Sequence, residues 1–167
     1  MEATGSKTDH VRQFAEQRRA GREAVLTLNV FLDSSALAKR YVVEPGSDRV
    51  EQILLGASSL GVSVLCLPEV VSALCRRRRE RMLSHAQYAR AKRTLLEDIR
   101  DSSVVNITDR VAARATELLE QWPLRSSDSI HVASAAEWEA ELFVSADERL
   151  CAAARAYGLH VEKLRGT

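Results

Sequence analysis

Four carboxylates stand where chemistry is possible in this 167-residue chain: Asp33, Glu69, Asp128 and Asp147. Asp33 ends the apolar run Val30-Phe31-Leu32 and is followed at once by Ser34 and Ser35. Glu69 lies two residues past Leu67, Asp147 follows the run "ELFVSA", and Asp128 opens a helical segment just before that run. Strand ends are where open parallel sheets collect ligands. Several acids brought together there repel one another, and protons or a cation must relieve the repulsion. An all-oxygen donor set selects a hard ion such as Mg2+ or Mn2+. Such an ion lets a negative pocket accept a phosphodiester and acidifies a bound water. A second reading stays open for each acid, because a carboxylate at a helix start also caps free N–H groups and complements the helix dipole. Asp109 fits only that second description.

The elements that must position these groups alternate. Strands are expected at 26–32, 60–67, 102–107, 141–146 and 159–164, where β-branched and large apolar residues dominate. Helical stretches separate them. Pro45-Gly46-Ser47, Pro68, Ser84, Thr108, Ser126-Ser127 and Asp147 serve as their start signals, and Gly158 as a stop. This alternation predicts an α/β domain of three layers, with a mainly parallel five-stranded sheet covered on both faces. Residues 1–25 are polar, charged and poor in large apolar groups, and are expected to form a flexible or weakly helical extension to a 26–167 domain.

The blocks "FLDSSALAKRYVVEPGS", "LPEVVSALCRRR", "SSDSIHVASA" and "FVSADERL" resemble, in order and spacing, the four motif blocks of PIN-domain nucleases. They are most similar to VapC-like toxins of type II toxin–antitoxin systems. The resemblance runs from about Val30 to Leu164 and implies an α/β/α sandwich with Mg2+- or Mn2+-dependent endoribonuclease activity. It also implies an RNA substrate, a small cognate antitoxin and a homodimer. The family's acidic positions fall on Asp33, Glu69, Asp128 and Asp147 as catalytic and metal-holding residues, with Asp33 and Asp128 the firmest ligands. Ser35 and Ser145 match small hydroxyl positions that orient a carboxylate or a water, and capping suits either equally. His131 matches a residue common in the family, for which a structural role is favoured. The 32 residues before Asp33 depart from the usual short leader of such toxins.

Other classes fit less well. Neither G-x-G-x-x-G nor a P-loop motif occurs, and no G-x-S-x-G elbow marks a serine nucleophile. An aspartyl phosphatase would need a second aspartate where Ser35 stands. Three cysteines without a C-x-x-C pair fit a reducing cytoplasm, and no apolar run is long enough for a membrane span. Net charge is only +1, yet the stretch from Arg76 to Arg93 holds eight basic residues against one acid, Glu80, a local net of +7. That asymmetry suits a polyanion or an acidic protein. On a helix, Arg76 and Arg79 share a face, as do Arg77 and Arg81, while Arg78 falls between Leu74 and Met82 on the packing side. The alternative to an enzyme is a non-catalytic PIN-type scaffold that binds RNA or protein.

Overall fold

The computed structural model describes residues 28–165, so the extension expected at 1–25 lies outside the described residues. Among the described residues there are five strands: β1 (Leu28–Leu32), β2 (Ala57–Ser63), β3 (Ser103–Val105), β4 (Leu142–Ser145) and β5 (Val161–Lys163). The helices are α1 (Ser34–Ala38), α2 (Ser47–Gly56), α3 (Cys66–Arg79), α4 (His85–Arg100), α5 (Asp109–Gln121), α6 (Ser126–Glu137) and α7 (Glu148–Ala156). The sheet order is β3-β2-β1-β4-β5 and every pairing is parallel.

Strand alternation sorts β1 between two cores. Val30 and Leu32 pack with Leu37, Val50, Leu74 and Leu95 on one face. Phe31 turns to the other face, with Val111, Leu118, Val132, Phe143 and Leu150. Helices α1 to α4 therefore cover one side of the sheet and α5 to α7 the other, which makes the three layers. The chain leaves β1 toward β2 and β3 on one side and returns to β4 and β5 on the other. Connection direction reverses between β1 and β4, and their carboxyl ends flank the crevice where α/β proteins bind ligands.

Several boundaries differ from the sequence expectation. β2 ends at Ser63 rather than continuing to Leu67, and the chain turns at Val64 and Leu65 before α3 begins at Cys66. The apolar run "VSVLCL" spans a strand end and a buried helix start, two environments that a short apolar run cannot distinguish. α6 starts at Ser126 with Arg125 as its N-cap, so both serines sit inside the first turn. α3 stops at Arg79, and Arg81 takes the left-handed region at φ 60°. Arg77 and Arg81 therefore do not share a helix face, and Met82 stands 63% exposed instead of packing beneath Arg78.

The remaining start signals work as expected. Ser84 and Gln87 form a reciprocal capping box on α4, and the Thr108 hydroxyl accepts from the Val111 N–H at the start of α5. Gly158, at φ +102°, closes α7: its N–H and that of Leu159 bond the carbonyls of Arg155 and Ala154. Gly61 in β2 is required by close approach, since a Cβ there would lie 2.5 Å from the Trp138 ring at the end of α6.

Candidate active site

Asp33 is the first residue past β1 and the N-cap of α1, and it is only 4% exposed. Its backbone N–H bonds the Val144 carbonyl, which ties the end of β1 to the end of β4. Its side chain is fully engaged. Oδ1 accepts from the Ala36 N–H at 2.8 Å, and the Ser35 hydroxyl lies 2.9 Å from each carboxylate oxygen. The Ser145 hydroxyl donates to Oδ2 at 2.7 Å. Burial raises the Asp33 pKa, although the His131 charge, the Ala36 N–H, Ser145 and Ser35 all pull the other way. Desolvation wins, so this carboxylate is held at an energetic cost.

Ser35 and Ser145 are the two hydroxyls singled out by the sequence, and both reach Asp33. Each also fixes the β4–α7 turn. Ser35 Oγ accepts from the Ala146 N–H, and Ser145 Oγ accepts from the Asp147 N–H, each at 3.0 Å. One hydroxyl thereby links the first acid to the backbone of the fourth.

Glu69 lies in the first turn of α3 and faces α6. Its Oε2 is 2.7 Å from His131 Nε2 and accepts from the Ser34 hydroxyl. Ser34 Oγ is also 3.1 Å from His131 Nε2 and 3.5 Å from Cys66 Sγ. Burial opposes the charge on Glu69, yet the hydrogen bonds of His131, Ser34 and Ser127 outweigh it and hold the carboxyl down at about 2. His131 is 2% exposed, and its Nδ1 has no partner among the described residues. The structure gives His131, for which a structural role is expected from sequence, a direct bond to one of the four acids. Ser34 was not singled out. It sits one helix position from Ser35, so it points toward α3 while Ser35 points toward Asp33.

Asp128 is half-buried in the first turn of α6, and its Oδ2 accepts from the Arg125 N–H at 3.3 Å. Burial raises its pKa, the Arg125 N–H lowers it, and the like charge of Asp147 raises it further. Asp147 is the N-cap of α7, accepting from Arg149 and Leu150 at 2.8 and 3.1 Å. Asp109, by contrast, is an exposed first-turn acid of α5.

All four acids therefore open helices around one rim. Asp33 is coupled to Asp147 through Ser145, Asp33 and Glu69 both interact with His131, and Asp128 feels the charge of Asp147. Asp109 is outside this network. The donors are hard oxygens, and burial and like charge raise two of the four acids, a strain that a divalent cation relieves. The donor chemistry fits such an ion. Among the described residues, however, no three His, Cys, Asp or Glu groups stand together as a metal-holding set. Each acid is turned instead to a hydroxyl, an N–H or an imidazole of the protein.

The family model for the PIN domain matches residues 30–156. The chain belongs to the PIN-domain family. Ribonuclease VapC45 of Mycobacterium tuberculosis strain CDC 1551 is 32% identical over 134 residues, covering 79% of this chain and 93% of its own. Ribonuclease VapC49 of strain H37Rv matches with the same identity and coverage. Solved structures share the fold at lower identity. M. tuberculosis VapC20, described as a sarcin–ricin loop cleaving toxin, superposes with a TM-score of 0.58 at 16% identity, over 78% of this chain and 96% of its own. DNA-bound VapBC from Salmonella typhimurium superposes at 0.60 and 18% identity, over 82% and 98%. The expected fold class is thus observed directly, and the PIN domain carries the four-acid rim within its matched span.

Proposed function

We propose that this PIN-domain protein is a Mg2+- or Mn2+-dependent endoribonuclease and the toxin of a type II toxin–antitoxin pair. The observation that carries the reading is Asp33: a buried carboxylate, raised by desolvation, held by Ser35 and Ser145 at the β1–β4 crevice of a PIN domain. Relatives named ribonucleases, similar over four fifths of the chain, support the reaction class. Asp33 and Asp128 would hold the cation, and Glu69 and Asp147 would complete the pocket directly or through water. A divalent ion bound there supplies charge neutralisation for the phosphodiester and lowers the pKa of water.

The chain's own groups do the positioning. Ser35 and Ser145 fix the Asp33 carboxylate, and the Ser145 bond to the Asp147 N–H keeps the start of α7 beside it. His131 and Ser34 keep Glu69 ionised and aimed along the rim. Hydrolysis joins a water oxygen to phosphorus as one P–O bond of the RNA breaks. One solved neighbour described as a toxin–antitoxin complex and another described as a member of a toxin–antitoxin family support a small antitoxin partner; its cover over the acidic rim and a homodimer belong to the same reading. Among the described residues no helix is long and apolar enough to cross a membrane. A cytoplasmic location is part of the same reading.

One observation favours a second reading, a binding scaffold without catalysis: every acid already accepts a hydrogen bond from the protein, and among the described residues no three of them cluster. Isothermal titration with Mn2+ separates the two. An enzyme takes up Mn2+ in the wild type and loses that uptake in Asp33→Asn. A scaffold takes up none in either.

A further inference from the structure

The four consecutive arginines of α3 have two different roles. Arg77 pairs with Glu44, which also bonds the buried Lys39 at 3.2 Å. Arg78 lies over the Tyr88 ring at 4.7 Å to the centroid, fastening α3 to α4. Both are committed to the fold. Arg76 and Arg79 are exposed, and among the described residues neither pairs with a carboxylate.

Helix geometry ties these two to the acidic rim. Seven residues are almost two full turns, so Arg76 returns to the Glu69 side of α3, about 10 Å along the axis. Arg79, three residues on, is its neighbour, about 15 Å from Glu69 along the same axis. Glu80 follows at the helix end and makes no ion pair with Arg76 among the described residues. A basic stripe thus begins where the acidic rim ends, and it lies on the helix that carries Glu69.

Resting on the endoribonuclease reading, we propose that Arg76 and Arg79 form a phosphate track along α3 that holds the RNA backbone a few nucleotides from the bond cut at the rim. Charge complementarity selects a polyanion, and the spacing suits a strand running outward from the cleavage point. Contacts of this kind position the chain without reading its bases. Arg76 and Arg79 are positioning residues, because they act on the backbone away from the reacting phosphorus.

The test is binding of a fluorescein-labelled single-stranded oligoribonucleotide by full-length Asp33→Asn protein, which removes cleavage, measured across salt concentrations. Arg76→Ala/Arg79→Ala and Arg76→Lys/Arg79→Lys are compared in that background, with poly-glutamate of matching length as a second probe. Two lost phosphate contacts on a single strand reduce the slope of log K against log salt by about 1.4. The parent therefore loses about sevenfold more affinity than the alanine pair between about 50 and 200 mM salt. The lysine pair, which retains the charges, keeps the slope. An unchanged slope in the alanine pair, with the parent still binding RNA, overturns the track and leaves the endoribonuclease reading intact. Loss confined to poly-glutamate overturns it in favour of an acidic protein. No RNA binding by the parent overturns both.

Discussion

Ser145→Ala removes one oxygen and disturbs two acids, so its cost can be worked from the geometry. Ser145 is fully buried, donates to Asp33 Oδ2 at 2.7 Å and accepts from the Asp147 N–H at 3.0 Å. A hydrogen bond to a buried charge contributes about 1.5–3 kcal/mol, and an N–H left without its partner costs about 1 kcal/mol more. The sum is about 3 kcal/mol, or about 9 °C in melting temperature for a domain of this size. The penalty depends on the charge of Asp33. Burial raises the Asp33 pKa, so its ionised form weakens the fold as pH rises through that value, and Ser145 moderates the loss. The penalty of Ser145→Ala is therefore larger while Asp33 is ionised and shrinks when Asp33 is protonated. In an Asp33→Asn background it falls by about 1 kcal/mol, because only a neutral hydrogen bond remains to be lost. Urea unfolding of the four proteins in this cycle at neutral and acidic pH checks both statements. An equal penalty in both backgrounds and at both pH values would refute the claim that Ser145 acts through the Asp33 charge.

Asp33→Asn itself should raise the unfolding midpoint wherever Asp33 would be ionised, since it removes the desolvation cost of a buried carboxylate, while cleavage drops by about a hundredfold or more. Paired melting and cleavage measurements test this, and a destabilised, active variant would contradict it. In His131→Phe, Glu69 keeps its burial and loses its imidazole partner, so its carboxyl should titrate higher than the depressed value of about 2 that it has in the wild type. Carbon-detected NMR titration of Glu69 reads this directly. In the wild type the same depressed value contributes stability that is present above about 4.5 and is lost as pH falls toward about 2. Gly61→Val drives a side chain into the Trp138 ring, 2.5 Å from the first added carbon, and should cost about 1–3 kcal/mol in urea unfolding.

What the sequence made legible follows from how local each signal is. Asp33 and Asp147 are announced by apolar strands that stop on an acid, and both turn out to be N-caps at the rim. Ser35 and Ser145 were legible as small groups beside those acids. The end of β2 was not, because Cys66 is as buried as the strand before it although it already belongs to a helix. The bond of His131 to Glu69 joins residues 62 positions apart, which no local pattern encodes. Ser34 was hidden by its neighbour: one helix step separates a hydroxyl on Asp33 from one on Glu69. The arginine run read as one charged block, and only its contacts divide it into Arg77 and Arg78, engaged by Glu44 and the Tyr88 ring, and the exposed Arg76 and Arg79, which pair with no carboxylate among the described residues.

The central claim, that this protein cuts RNA and that Asp33 would hold the divalent cation it needs, is tested most directly by incubating the purified protein with structured and single-stranded RNAs. Each reaction is run with Mn2+, with EDTA, and with Asp33→Asn under both conditions. Cleavage that requires both the metal and Asp33 is the predicted result. Cleavage that survives both EDTA and Asp33→Asn would contradict the account.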